Sequence, residues 1–232
     1  MIYVGIDDTN NEDSVGTAKF TRQVASKVAE KFRVYGVTRH QLAQNSEIDY
    51  SVHNFCAVIH VEADKSHLNT IFSIAKTEIM DNFNIGSNPG IATAHEDTIS
   101  SSVVSLGLDA KYKVVKRETA IKLANDSEIL IEGFGEAGTG VIGALAGVGL
   151  ANTKNDGRFV QLGDLRKIKQ PETVQKFLKS GIDKIITLEG VTLEEGIIYN
   201  IDNKPVKPSP VKGEIVLFVE PVNNMFRAVN RD

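Results

Sequence analysis

Asp7 and Asp8 stand side by side in GIDDT, residues 5–9, at the end of the apolar run IYVGI and just ahead of a polar loop. Two adjacent carboxylates raise one another's pKa unless a cation intervenes, and a divalent metal is the usual partner. Mg²⁺ suits such a pair, because it takes one or two carboxylates together with phosphate oxygens and water. Asp7 and Asp8 are therefore candidate metal ligands. Successive strand residues point to opposite faces, so both can serve one ion only if the strand has ended by Asp7. The plain structural alternative is an Asx-type turn with solvated acids. Thr17, where a helical pattern begins, offers a hydroxyl that could touch or accept a phosphate, or could simply cap the helix.

The second chemical segment is GFGEAGTGVIGALAGVG, residues 133–149, which holds seven of the chain's 19 glycines. GFGEAG fits the dinucleotide fingerprint and opens a nicotinamide-dependent reading, but no strand ending in an acid follows it, and no G-x-x-x-x-G-K-[ST] is present. From Gly138 onward the segment reads as a glycine loop running into an apolar helix. Gly138 and Gly140 would let backbone amides approach a phosphate, while Gly143 and Gly147 would let the helix pack closely on a sheet. Tight packing with no ligand explains the same glycines. His53, Cys56 and His60 fall on opposite faces of one expected strand, so they do not converge on a metal. His95, Glu96 and Asp97 read as a polar helix start, with a general base as the alternative.

These residues need a scaffold. IYVGI is of strand type, and Phe20, Val24, Val28 and Phe32 repeat every four positions along a helix from Thr17. Strands are expected at 33–38 and at 54–62, where apolar residues alternate, and a second amphipathic helix carries Leu68, Ile71, Phe72, Ala75 and Ile79. The fold class expected is α/β: a mixed sheet in the order βαββα with packed helices, plus a smaller strand-rich C-terminal part. Residues 83–127 show a turn at GSNPG and a helix near 114–124. Pro171 is expected to begin a short helix stopped by Gly181. Two domains follow, a nucleotide-binding 1–150 and a small α/β region at 151–232.

With 41% hydrophobic and 24% charged residues and no long apolar segment, the composition is that of a globular protein with no membrane partner. MIYVGIDD lacks the plan of a signal peptide, so a cytoplasmic location is expected. A single cysteine excludes an intrachain disulfide and a cysteine-rich zinc site, and a formal charge of −4 supplies no general pull on polyanions.

GIDDT, Thr17, Asn45, Asp49-Tyr50, Ala57-Val58, Asn88-Pro89-Gly90, and Gly138-Thr139-Gly140-Val141-Ile142-Gly143-Ala144-Leu145 together resemble, in order, the archaeal agmatinylcytidine synthetase family. The likeness is to its kinase-like, ATP-binding N-terminal domain, over about the first 150 residues. It implies ATP and Mg²⁺ as cofactors. Asp7 and Asp8 become metal and phosphate-transfer residues and Thr17 a phosphoacceptor. Gly138, Thr139, Gly140 and Gly143, with Asn88 and Gly90, become nucleotide-binding residues. Asn10 stands where the family has a third acid, and His53-Asn54-Phe55-Cys56 replaces its R-G-N-G. The chain reads as a free-standing relative without the family's tRNA-gripping OB and zinc domains. The function implied is an ATP- and Mg-dependent phosphotransferase or nucleotide hydrolase, with a non-catalytic nucleotide-binding module as the alternative. Its partners would be a nucleotide and a small-molecule or RNA acceptor, with assembly into a homo-oligomer left open.

Overall fold

The computed structural model describes residues 1–9, 16–44, 54–82 and 84–231. The chain divides into two compact units, Met1–Asn152 and Thr153–Asp232. The first unit begins with β1 (Ile2–Asp7), α1 (Thr17–Val28), β2 (Arg33–Gln41), β3 (Phe55–Glu62), α2 (Leu68–Asn82) and β4 (Gly90–His95). β1 lies between β3 and β4, antiparallel to both, and β2 is antiparallel to β3. It follows that β1 and β2 run the same way with β3 between them, and β3 and β4 the same way with β1 between them. A helix joins each such pair, giving two interleaved split βαβ units, the ferredoxin-like arrangement. After α3 (Ser101–Ala110) and α4 (Arg117–Asp126), β5 (Leu130–Gly133) adds an antiparallel strand beside β4, and α5 (Val141–Asn152) closes the unit.

The two faces of this sheet are covered differently. Ile2, Val4 and Ile6 are fully buried on the face where α1 and α2 pack together. α1 buries Phe20, Val24, Ala25 and Val28, and α2 buries Leu68, Ile71, Ala75 and Ile79, as the four-residue spacing requires. The stripe expected to reach Phe32 ends at Val28, and Phe32 instead sets its ring 5.2 Å from that of His67. On the other face lies α5, buried almost all round between the sheet and α3. A Cβ on Gly5 would strike the Ala144 carbonyl, so only glycine lets α5 lie this close to β1. Each fully buried side chain of the size of Leu145 or Leu150 contributes about 1.5–3 kcal/mol.

Several expectations differ from the structure. Cys56 to Val61 of β3 are all buried, because helices cover both faces of the sheet and erase the alternation. Within residues 83–127, β4 and α3 accompany the expected helix, with Ser100 capping α3 at the Val103 amide. The α/β class holds, and within it the pairings of β1 to β5 are all antiparallel while parallel pairs lie in the second unit. β5 therefore does not sit in a parallel βαβ unit, which removes the context the dinucleotide fingerprint needs.

The second unit holds β6 (Arg158–Leu162), β7 (Glu172–Thr173), α6 (Val174–Leu178), β8 (Lys184–Thr187), β9 (Ile197–Tyr199), β10 (Ser209–Val211), β11 (Glu214–Val222) and β12 (Met225–Val229). Its sheet runs β10-β11-β12-β9-β7, with β8 parallel to β11 and β12 parallel to β9. α6 starts after Thr173, whose hydroxyl accepts from the Lys176 amide, and not at Pro171. Among the described residues no helix is long and apolar enough to cross a membrane.

Candidate functional site

Register places three residues in a row across the sheet. Asp7 pairs with Gly90, and Gly90 pairs with Gly133, at the ends of β1, β4 and β5. Asp7 shares the face of Gly5, so its side chain points toward α5. A Cβ built on Gly143, the third residue of α5, would collide with Asp7 Oδ2 and lie 2.6 Å from its Cγ. The carboxylate thus occupies the space a side chain at 143 would fill, beside the first turn of α5. β1 stops there, because Asp8 takes a left-handed φ of 52°, which aspartate tolerates better than most residues.

Burial pushes the Asp7 carboxyl well above the usual carboxylate range, and the neighbouring charge of Asp8 adds to the shift. The Asp8 backbone N–H donates to the same carboxylate and opposes the shift. The positive end of the α5 dipole also favours an anion at this position. A divalent cation would relieve the two unfavourable contributions together, and Asp7 and Asp8 are the carboxylates that could hold one. Among the described residues no group of three or more His, Cys, Asp or Glu side chains could hold a metal.

Three segments are joined by hydrogen bonds beside the end of β1. Asn84 Nδ2 donates to the Thr9 carbonyl at 2.9 Å. The Asn84 carbonyl accepts from the Ser87 amide and hydroxyl, at 3.0 and 2.7 Å. Asn88 Oδ1 accepts from the Ala137 amide at 2.8 Å, the Asn88 carbonyl from the Gly140 amide at 2.9 Å, and the Pro89 carbonyl from the Phe134 amide at 2.8 Å. A Cβ on Gly140 would come within 2.5 Å of the Gly90 nitrogen and 2.9 Å of the Asp7 carbonyl oxygen. Arg117, at the start of α4, donates from Nε to the Gly138 carbonyl at 3.4 Å.

The predicted residues are placed as follows. Asp7, Gly90, Gly140 and Gly143 pack against one another, with Asn88 beside them. Gly138 has a φ of +55°, and Gly138, Gly140 and Gly143 are buried by protein neighbours, leaving Thr139 exposed at the loop. Gly90 lies beneath Gly140 and Val141. Thr17 is the first helical residue of α1, with Gly16 at the N-cap, and is only 2% exposed. The Thr9 hydroxyl donates to the Thr17 hydroxyl at 3.3 Å, so Thr17 joins this region through Thr9. Asn10, Asn45, Asp49, Tyr50 and His53 lie outside the described residues. Cys56 is buried against α5, and His60 and His40 both reach the Thr38 hydroxyl, at 2.8 and 2.7 Å. His95 caps a short 3-10 turn, its Nδ1 accepting from the Asp97 amide at 3.4 Å. Asn84 and Arg117 lie outside the residues that the sequence singles out. Asn84 carried one signal, its place just before Gly86 in a turn-forming stretch.

No protein-family model matches the chain, and no curated protein does. Its fold is similar to that of several solved structures. One is the crystal structure of a tRNA fluorescent labeling enzyme, with 23% identity, a TM-score of 0.56, and coverage of 64% of this chain and 35% of that one. A second is apo TiaS, a tRNA(Ile2) agmatidine synthetase, with 22% identity, a TM-score of 0.54, and coverage of 64% and 35%. A third is the complex of TiaS with tRNA(Ile2) and ATP, with 23% identity, a TM-score of 0.55, and coverage of 64% and 36%. The chain spans about a third of the length of these proteins, at 35–36% of each. At this identity the likeness is one of fold.

Proposed function

We propose that the first unit binds ATP with Mg²⁺ where Asp7 and Asp8 meet the loop leading into α5, and that it transfers or hydrolyses the terminal phosphoryl group. The observation that carries this reading is the half-buried Asp7 carboxylate packed on Gly143 beside a helix N-terminus, where its charge is disfavoured without a cation. A fold shared with a protein solved in complex with ATP and tRNA supports it.

In this reading Asp7 and Asp8 hold the cation, which would neutralise charge on the phosphates. In this site Thr139, exposed at the entry to α5, faces the phosphate oxygens, and the positive end of the α5 dipole favours their charge. Gly138, Gly140 and Gly143 allow the close approaches that shape this loop. Asn88 and Gly90 act beneath it, one through hydrogen bonds and the other through its lack of a side chain. Thr17 sits at the start of α1 as the candidate phosphate contact or acceptor, and its hydroxyl must leave Thr9 to react.

ATP turnover by the pure protein tests the proposal. Turnover lost in Asp8→Asn with nucleotide binding retained is the expected result. Binding without turnover in the unsubstituted protein would favour the non-catalytic module, and absence of both would refute the assignment.

A further inference from the structure

The turn at residues 84–90 touches both halves of the site, and its side-chain amides are engaged by backbone groups of the two loops. Asn84 reaches the acidic loop through the Thr9 carbonyl, and Asn88 reaches the glycine loop through the Ala137 amide. The orientation of each amide is dictated by its partner. A carbonyl needs a donor, so Asn84 presents its NH₂, and an N–H needs an acceptor, so Asn88 presents its oxygen. The two asparagines are tied together by the Asn84 carbonyl and Ser87, which is 4% exposed. The fit against the glycine loop is close. A Cβ on Gly135, whose φ is +74°, would lie 2.5 Å from the Ser87 carbonyl oxygen and 3.0 Å from Asn88 Oδ1.

We propose that this turn is a clamp that fixes the spacing between the acidic loop and the glycine loop, with Asn84 and Asn88 as its positioning residues. Its role in function rests on the nucleotide reading above, but its existence as a coupling device does not. Strain or loosening at one loop passes to the other through four linked groups, the Thr9 carbonyl, Asn84, Ser87 and Asn88.

The same substitution at the two positions gives opposite results. Asn84→Asp replaces a donor with an oxygen facing the Thr9 carbonyl and breaks the tether. Asn88→Asp keeps an acceptor for the Ala137 amide, whereas Asn88→Ala removes it. Amide hydrogen exchange on the unliganded protein reads this directly. Asn84→Asp should speed exchange at Ala137 and Gly140, which Asn84 does not touch, by about fivefold, the effect of one net hydrogen bond. Asn88→Ala should do the same, and Asn88→Asp should restore slow exchange at Ala137. Asn84→Ala provides a second, uncharged break of the first tether. Unchanged exchange at Ala137 and Gly140 in Asn84→Asp and Asn84→Ala, or equal behaviour of Asn88→Ala and Asn88→Asp, would overturn the clamp. ATP titration of the same proteins separates the two proposals. The expected result is weaker binding in Asn84→Ala and Asn88→Ala with little change in melting temperature. The exchange pattern appearing in a protein that binds no ATP would uphold the clamp and sink the nucleotide reading alone.

Discussion

Gly143→Ala and Gly147→Ala make the same chemical change one turn apart on α5 and should separate ligand binding from stability. At 143 the new methyl falls on the Asp7 carboxylate, 2.6 Å from Cγ and 3.1 Å from Cβ. At 147 it falls 2.8 Å from the Cys56 sulfur and 2.9 Å from a Val58 methyl, in the core. Alanine is better than glycine inside a helix by up to about 1 kcal/mol. Forcing a methyl into occupied space costs about 1–3 kcal/mol. Each variant should therefore lose about 0–3 kcal/mol, or up to about 12 °C in Tm for a chain of this size. Only Gly143→Ala turns the Asp7 side chain out of its place. Mg·ATP affinity should fall at least about tenfold there, about 1.4 kcal/mol, and stay unchanged in Gly147→Ala. Calorimetric titration with thermal melts measures both. Equal affinities in the two variants, or a loss in Gly147→Ala alone, would refute the role given to Asp7.

Asp7→Asn should stabilise the unliganded protein at neutral pH. The folded pKa of Asp7 lies above its ordinary 3.8, so its contribution is fully present below that pH and is lost as pH rises through the folded pKa. The advantage of Asn should vanish in melts near or below pH 3.8, and no advantage at neutral pH would contradict the burial argument. Tyr3 is pushed up to about 12 by burial first and by Glu96 second, so its stabilising effect holds below pH 10 and is lost on the way to about 12. Tyr3→Phe should flatten the alkaline stability profile over that window, and an unchanged profile would count against the assignment.

Much of the scaffold was legible in the chain, for identifiable reasons. α1 and α2 each bury one stripe against one face, so their four-residue spacing survives in the sequence. β4 and α3 did not stand out, because GIATAH is short and made of small residues, and SSVVSLGLDA is apolar on much of its surface. The acidic pair and the glycine segment were visible as oddities of composition. Their meeting was not, because it depends on the register Asp7 to Gly90 to Gly133, set by antiparallel pairings between distant segments. Gly143 illustrates the limit of reading types alone. It suggested close packing on a sheet, and the close neighbour is the Asp7 carboxylate. Asn88 looked like a ligand residue, and its side-chain oxygen holds the Ala137 amide.

A crystal structure grown with Mg²⁺ and a non-hydrolysable ATP analogue tests the central proposal most directly. The account predicts phosphate density against Thr139 at the entry to α5, with the metal on Asp7 and Asp8. A nucleotide bound elsewhere, or a metal that leaves both aspartates untouched, would contradict it.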